Sequence, residues 1–390
     1  MKPLAVVFAA TMLVALCPLT LPAEEKPATP PAADMALHLS DVFVSGTGDY
    51  HTYRIPSLLV TSKGTVLAFC EGRKTGRGDA GNIDVVLRRS FDGGNTWQPL
   101  QVVWDDGPNT AGNPCPVVDR TTGTIWLPLT WNLGEDKESQ ILKGTSKRSR
   151  EVWVTKSTDD GATWAKPVNI TATTKAPDWT WYATGPGCGI QTKSGRLVIP
   201  CDHALAGSGL YRSHVIYSDD HGDTWKLGGV IGDKVNECQV VELGDGRLMM
   251  NMRSYAGKKC RAVSTSSDGG LTWTPAADEP ALVEPVCQAA MIRIDSPANA
   301  GHGILVFSNP ASTKREKMTV RLSMDDGKTW TVSGLIDGGP AAYSALALLP
   351  DKRIACLFEH GDKSPYEKIS LAIFSLQWLT VLQQAVEPAK

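Results

Sequence analysis

Seven short segments of this 390-residue chain set a charged or phenolic side chain amid apolar, strand-like neighbours. They hold Arg54 in Tyr53-Arg54-Ile55-Pro56, Asp79 after Gly78, Glu237 in Asn236-Glu237-Cys238-Gln239, and Arg253 in Asn251-Met252-Arg253-Ser254. Arg315, Tyr343 in Ala342-Tyr343-Ser344, and Glu359 after Leu357-Phe358 complete the set. A charge in such a setting needs a partner. Three arginines gathered from distant segments would make a strongly cationic site on a chain whose net charge is −2. Guanidinium forks in that arrangement suit a small anionic ligand, most naturally a carboxylate.

Gathering them requires a repeated framework, and the chain carries one. The octapeptide Ser-x-Asp-x-Gly-x-Thr-Trp occurs five times, at residues 90–97, 157–164, 218–225, 266–273 and 323–330. Successive starts lie 67, 61, 48 and 57 residues apart. That spacing is too long for a helical solenoid unit and suits one four-stranded sheet with its loops. The expected fold is therefore all-β, a six-bladed β-propeller, with five blades marked by the repeat. The sixth takes a strand from residues 368–376 and pairs it with one from residues 37–45, so that no sheet edge is left open. Strand patterns at residues 65–70, 83–88, 151–155, 214–217 and 317–322 flank the repeats, and helix signals are weak throughout. Within each repeat the Asp accepts hydrogen bonds from turn amides, the Gly takes a positive φ, and the Trp plugs the space between sheets. Asp92, Asp159, Asp220, Asp268 and Asp325 are accordingly expected to be structural. One inner strand per blade would carry the seven charged segments to a common axis.

The bulk of the sequence narrows the partners. A pI near 6.4 with no basic stripe argues against a nucleic-acid surface. Residues 143–150 are locally basic but follow Glu135, Asp136 and Glu138, and read as an exposed polar loop. Lys2, the apolar residues 4–16 and a small Ala23 before Glu24 form the pattern of a secretory signal over residues 1–23. The apolar run is short for a membrane span, and Leu16 is large for a lipoprotein site at Cys17. Residues 24–36, rich in Pro and Ala, read as a linker, which leaves residues 37–390 for the propeller. The expected destination is outside the cytoplasm, secreted or periplasmic, with no stable membrane insertion once the signal is cleaved. The eight remaining cysteines show no C-x-x-C pair, so a zinc site is not expected. Several lie in apolar strands, which leaves disulfides and buried thiols both open.

From residue 37 to 379 the chain resembles the exo-α-sialidases, or neuraminidases. The resemblance rests on Tyr53-Arg54-Ile55-Pro56, Arg88-Arg89-Ser90 leading into the first repeat, and the run Gly185-Pro186-Gly187-Cys188-Gly189-Ile190. It continues through Asn236-Glu237-Cys238-Gln239 and Ala342-Tyr343-Ser344-Ala345-Leu346. It implies that Arg54, Arg253 and Arg315 bind the carboxylate of sialic acid, that Glu359 holds Arg54, and that Arg73 lies near the substrate. It also implies Asp79 as acid/base, Glu237 as partner of Tyr343, and Tyr343 as nucleophile. Arg321 and Asp84 compete with Arg315 and Asp79, but both sit within strand-like runs that suit structural roles. The chemistry is coherent. Sialic acid bears a carboxylate on its anomeric carbon, so an attacking carboxylate would meet like charge, whereas a phenol with a neighbouring base would not. The implied protein is a secreted retaining enzyme that acts on sialylated glycans, glycoproteins or glycolipids with no metal and no organic cofactor. The alternatives are a non-catalytic sialic-acid binder, a trans-sialidase, and a scaffold propeller.

Overall fold

In the computed structural model of the protein, residues 36–295 and 302–384, with Met1, are described. The expected secretory signal apart from Met1, and all of the expected linker except Ala36, lie outside them. Hydrogen bonding joins the strands into four sheets of seven, nine, five and four strands, almost wholly antiparallel. The fold is all-β. The nine-stranded sheet carries Thr52–Val60, Val66–Arg73 and Ile83–Ser90, and is linked through the short strand Thr110–Gly112 to Ile125–Asn132 and Glu151–Ser157. Leu197–Leu205 and Tyr211–Ser218 form the centre of the five-stranded sheet, and Val235–Glu242, Leu248–Ser254, Cys260–Ser266 and Ala277–Val283 form the four-stranded one.

The seven-stranded sheet shows how the chain ends meet. Strand Val332–Leu348 pairs in its first half with Glu316–Ser323 and in its second half with Ile354–His360. Lys368–Phe374 follows, and His38–Val44 adds to it antiparallel, with Leu39 opposite Ala372. The pairing of the two chain ends expected from the sequence is present. The strand stops two residues short of the expected residue 376, because Leu376–Gln384 turns into a helix. Ser375 Oγ accepts the Trp378 amide at 3.1 Å, an N-terminal cap, and Trp378 and Leu379 pack against Ile336 and Phe374. The weak apolar signal of so short a segment gives no helical period to read.

The repeats build their turns as anticipated. In each, Oδ1 of the Asp accepts the Thr amide at 2.8–2.9 Å, and the Ser hydroxyl accepts the Gly amide at 2.8–2.9 Å. Hydrogen bonds to the ionised form from the Thr hydroxyl, the Thr amide and the Ser hydroxyl hold Asp92, Asp159, Asp220 and Asp268 at about 2. Gly222 has φ +95°, and a Cβ there would lie 2.1 Å from the Trp126 ring, so only glycine fits. The repeat tryptophans pack against neighbouring meanders: Trp164 meets Phe69 edge-on at 5.7 Å and Trp225 meets Trp126 at 6.3 Å. All eight cysteines from Cys70 to Cys356 are free thiols, seven of them buried.

Candidate active site

Arg54 sits on Thr52–Val60 where the strand departs from regular pairing, between Arg54 and Ser57. Ile55, a β-branched residue, is held there at φ +62°, a conformation that persists only where the surroundings enforce it. The enforcing group is Glu359. Its Oε1 accepts the Ile55 amide at 2.8 Å and Arg54 Nε at 3.1 Å, and its Oε2 accepts the Tyr343 amide at 3.1 Å and Arg54 Nη2 at 3.4 Å. Tyr343 lies at a second irregularity, between Ala341 and Ser344, on the long strand Val332–Leu348. One wholly buried carboxylate thus fixes both an arginine and a phenol. Burial works against the Arg54 charge, yet Glu359, joined by Tyr343, Tyr366 and Asp79, outweighs it and holds the guanidinium above its usual value.

The remaining cations converge on the same phenol. Arg253 Nη1 donates to Glu237 Oε2 at 2.7 Å and to the Tyr343 hydroxyl at 3.3 Å. The Tyr343 hydroxyl donates to Glu237 Oε1. Arg54 and Arg315 lie over the Tyr343 ring at 5.1 and 5.6 Å, and Arg315 also donates to the Tyr366 hydroxyl at 2.8 Å. Burial, then the charge of Glu237, push the Tyr343 phenol well above its usual value. The proton therefore stays on the phenol at rest, with its acceptor already in contact.

Asp79 enters from the Gly-rich loop after Val66–Arg73 and is 47% exposed at its side chain. Arg73 Nη2 donates to its Oδ1 at 2.8 Å, and Arg54 Nη1 is 3.8 Å away. Burial raises Asp79, but Arg73 and then Arg54 outweigh it and hold the carboxyl below its ordinary range. Arg73 lines the cavity, but its donors are spent on Glu71 Oε2, at 3.0 and 2.6 Å, on Gly78 O and on Asp79. It fixes the Asp79 loop. All of Arg54, Arg73, Asp79, Glu237, Arg253, Arg315 and Tyr343 line one cavity of about 270 Å³, with Glu359 behind Arg54. The two competing residues stand apart from it. Asp84 accepts the Tyr50 hydroxyl at 2.6 Å and pairs with Lys74, while Arg321 donates to Asn309.

Over residues 64–356 the chain matches the BNR repeat-like domain. It is 35% identical over 384 residues to a sialidase of Micromonospora viridifaciens, a match covering 93% of this chain and 58% of that protein. It is 32% identical over 373 residues to an exo-alpha-sialidase of Aspergillus fumigatus, covering 87% of each. The chain belongs to the sialidase family. Among solved structures, this sialidase-family chain is similar to the Hadza microbial sialidase Hz136, with a TM-score of 0.78 and 32% identity over 86% of this chain and 68% of that one. The intramolecular trans-sialidase from Ruminococcus gnavus shares the fold, with a TM-score of 0.75 at 19% identity over 90% of this chain and 99% of that one.

Twelve of the nineteen residues that line the cavity of this sialidase-family chain lie outside the expected set. Glu138, Arg150, Asp202, Tyr211, Asn236 and Tyr255 are among them, as is Trp181, whose aromatic run 179–182 reads in the sequence as packing. Residues 143–149 are mostly exposed, as the polar-loop reading expects, but Arg150 at the end of the basic run is buried and turns inward. That corrects the reading of its last residue. Asp202 carries a usable signal, a carboxyl inside the apolar strand Leu197–Leu205. Burial, then Glu237, push its carboxyl well up.

Proposed function

We propose that the protein is a retaining exo-α-sialidase that releases terminal α-linked sialic acid from glycoconjugates by way of a tyrosine-linked sialyl intermediate. The observation that carries this reading is the meeting of Arg54, Arg253 and Arg315, from three distant segments, around a phenol that already touches a carboxylate. The three guanidinium groups would hold the substrate carboxylate, with Arg54 braced by Glu359.

In the first step the Tyr343 oxygen bonds to the anomeric carbon while its proton passes to Glu237 Oε1. The glycosidic C–O bond breaks, and the leaving oxygen takes a proton from Asp79. In the second step Asp79 takes a proton from water, whose oxygen bonds to the anomeric carbon. The tyrosyl C–O bond breaks and Glu237 returns the proton to the phenol. Two inversions leave the configuration retained. Asp79 must carry a proton to begin, yet Arg73 and Arg54 favour its ionised form. A substrate carboxylate on Arg54 offsets part of that field, which favours the protonated acid and an acidic working range.

The same reading assigns residues 37–390 to a six-bladed propeller. Support comes from five repeats and from the way the long strand Val332–Leu348 serves two successive meanders. Residues 1–23 are read as an export signal and residues 24–36 as a linker, so the protein would act in the periplasm or outside the cell. Among the described residues no helix is long and apolar enough to cross a membrane. Incubation with a chromogenic α-sialoside, with the first-formed sugar followed by NMR, tests activity, stereochemistry and transfer together. Release of the α-anomer of free sialic acid is expected. The β-anomer first, or no release, would overturn the mechanism.

A further inference from the structure

One buried ion pair stands close to the cavity without lining it. Arg261, on strand Cys260–Ser266, and Glu284, just past Ala277–Val283, meet at 2.8 Å, and both are wholly buried. Each nitrogen of the guanidinium is engaged. Nε donates to Asn251 Oδ1 at 2.6 Å, Nη1 to Glu284 Oε2 and to Cys287 O at 2.7 Å, and Nη2 to Asn251 O at 3.5 Å. The other oxygen of Glu284 accepts the Ser254 amide at 2.7 Å. Asn251 and Ser254 bracket Arg253 on strand Leu248–Ser254. Cys287 packs with Ile55, Ala342 and Tyr343. The pair thus ties the end of the Arg253 strand to the turn that packs on Tyr343. The Glu284 amide, donating to Lys259 O at 3.0 Å, closes the tie.

Stability alone does not account for such a pair. Desolvating two charges offsets most of their attraction, and apolar residues of similar volume often serve a core equally well. What apolar residues cannot supply is direction, and Arg253 needs it. Glu359 braces Arg54 from behind with two bonds, whereas among the described residues the ion pair of Arg253 is with Glu237, inside the cavity. The Arg253 Nε is buried without a partner. The Tyr255 ring, 5.0 Å away, gives the guanidinium a flat support but no direction. Its stance is therefore set by the backbone, which is held at Asn251 and Ser254. We infer that Arg261 and Glu284 are positioning residues for Arg253, fixing its guanidinium against Glu237 and the Tyr343 hydroxyl. The inference rests on the sialidase reading given above, in which Arg253 belongs to the carboxylate clamp.

The test measures Tm and kcat/KM on a chromogenic α-sialoside for wild type, Glu284→Gln and Arg261→Met/Glu284→Leu. Glu284→Gln leaves Arg261 buried without its charge partner, so Tm should fall. Its kcat/KM should fall about ten- to a hundredfold, chiefly through KM, because the clamp loses its alignment. The double change removes both charges, and most of the lost Tm should return while kcat/KM stays low. A pair that only stabilised the core would recover both. In an Arg253→Ala background either change should lower kcat/KM less than about twofold further, since the residue it acts through is gone. Where one variant fails to fold, the other decides by the same comparison. Equal losses in the two backgrounds, kcat/KM within about twofold of wild type, or recovery of kcat/KM together with Tm refutes this inference and leaves the sialidase reading standing. A wild type inert towards the sialoside removes both.

Discussion

Glu359→Gln keeps the shape of the side chain and removes its charge, and it should be among the most damaging single changes in the protein. The carboxylate accepts four donors, two on each oxygen: Arg54 Nε and the Ile55 amide on Oε1, Arg54 Nη2 and the Tyr343 amide on Oε2. A glutamine offers one oxygen and one NH2, so two of those donors face another donor whichever way the amide turns. Orphaning buried donors costs about 1–3 kcal/mol each. Taking the charged partner from a buried ion pair costs about 3–5 kcal/mol. The two costs overlap because they count some of the same bonds, so we expect a loss of about 4 kcal/mol. Urea unfolding of both proteins measures it directly. Asp245→Asn serves as the control, since its pair with Arg247 is 46% and 51% exposed and should be worth under about 0.5 kcal/mol. A loss below about 1 kcal/mol, or one matching the control, would falsify the bracing role assigned to Glu359. Activity retained in full by Glu359→Gln would refute its link to Arg54 and Tyr343.

Other changes should act on chemistry, binding or pH response. Tyr343→Phe should lower hydrolysis of an α-sialoside by more than about a thousandfold while calorimetric affinity for free sialic acid changes little; wild-type turnover would exclude Tyr343 as nucleophile. Arg315→Ala removes a cation that no carboxylate of the described residues neutralises, and should weaken free sialic acid about tenfold or more by calorimetry; unchanged affinity counts against the clamp. His203 and His214 are wholly buried with their Nδ1 atoms 3.1 Å apart, and burial lowers His203 to about 3 and His214 well below its usual value. The folded state therefore binds fewer protons than the unfolded one. Their stabilising contribution is complete above about pH 6.5 and declines as the pH falls, by about 2 kcal/mol per histidine at pH 5. Unfolding in urea at pH 7.5 and pH 5.0 should reveal that loss, and a flat profile would refute it. The depressed repeat aspartates act in a separate window, below about pH 4.

The legible part of the site is the part where burial and charge collide within a few residues of sequence. Arg54, Glu237, Arg253 and Glu359 each interrupt an apolar strand, and each proves to have a charged partner in the cavity wall. Asp202 interrupts Leu197–Leu205 in the same way and was missed. Its neighbours Cys201 and His203 read as ordinary strand, and it has no partner to complete a pattern. Arg150 and Glu138 were beyond reach for a different reason. They stand at the ends of an exposed excursion, and only the long-range bonds of Lys175 and Thr180 turn Arg150 inward. The repeats likewise announce meanders of strands, but which meanders fuse depends on pairings such as Thr110–Gly112 with Ile125–Asn132, which no local pattern encodes.

The seam between His38–Val44 and Lys368–Phe374 ties the active centre to the order in which the chain is made. The strand beside that seam, Ile354–His360, carries Glu359, which pairs directly across from Ile369. The brace on Arg54 thus belongs to a sheet that cannot be zipped until the ribosome has delivered both its earliest and its latest strand. Were the chain exported unfolded, as the proposed signal implies, that delay would cost it nothing, and its latent chemistry would switch on only after the two end strands have paired. Cutting the chain just after Val44 should leave the excised strand able to rejoin the remainder as a free peptide, with recovered turnover reporting the closure.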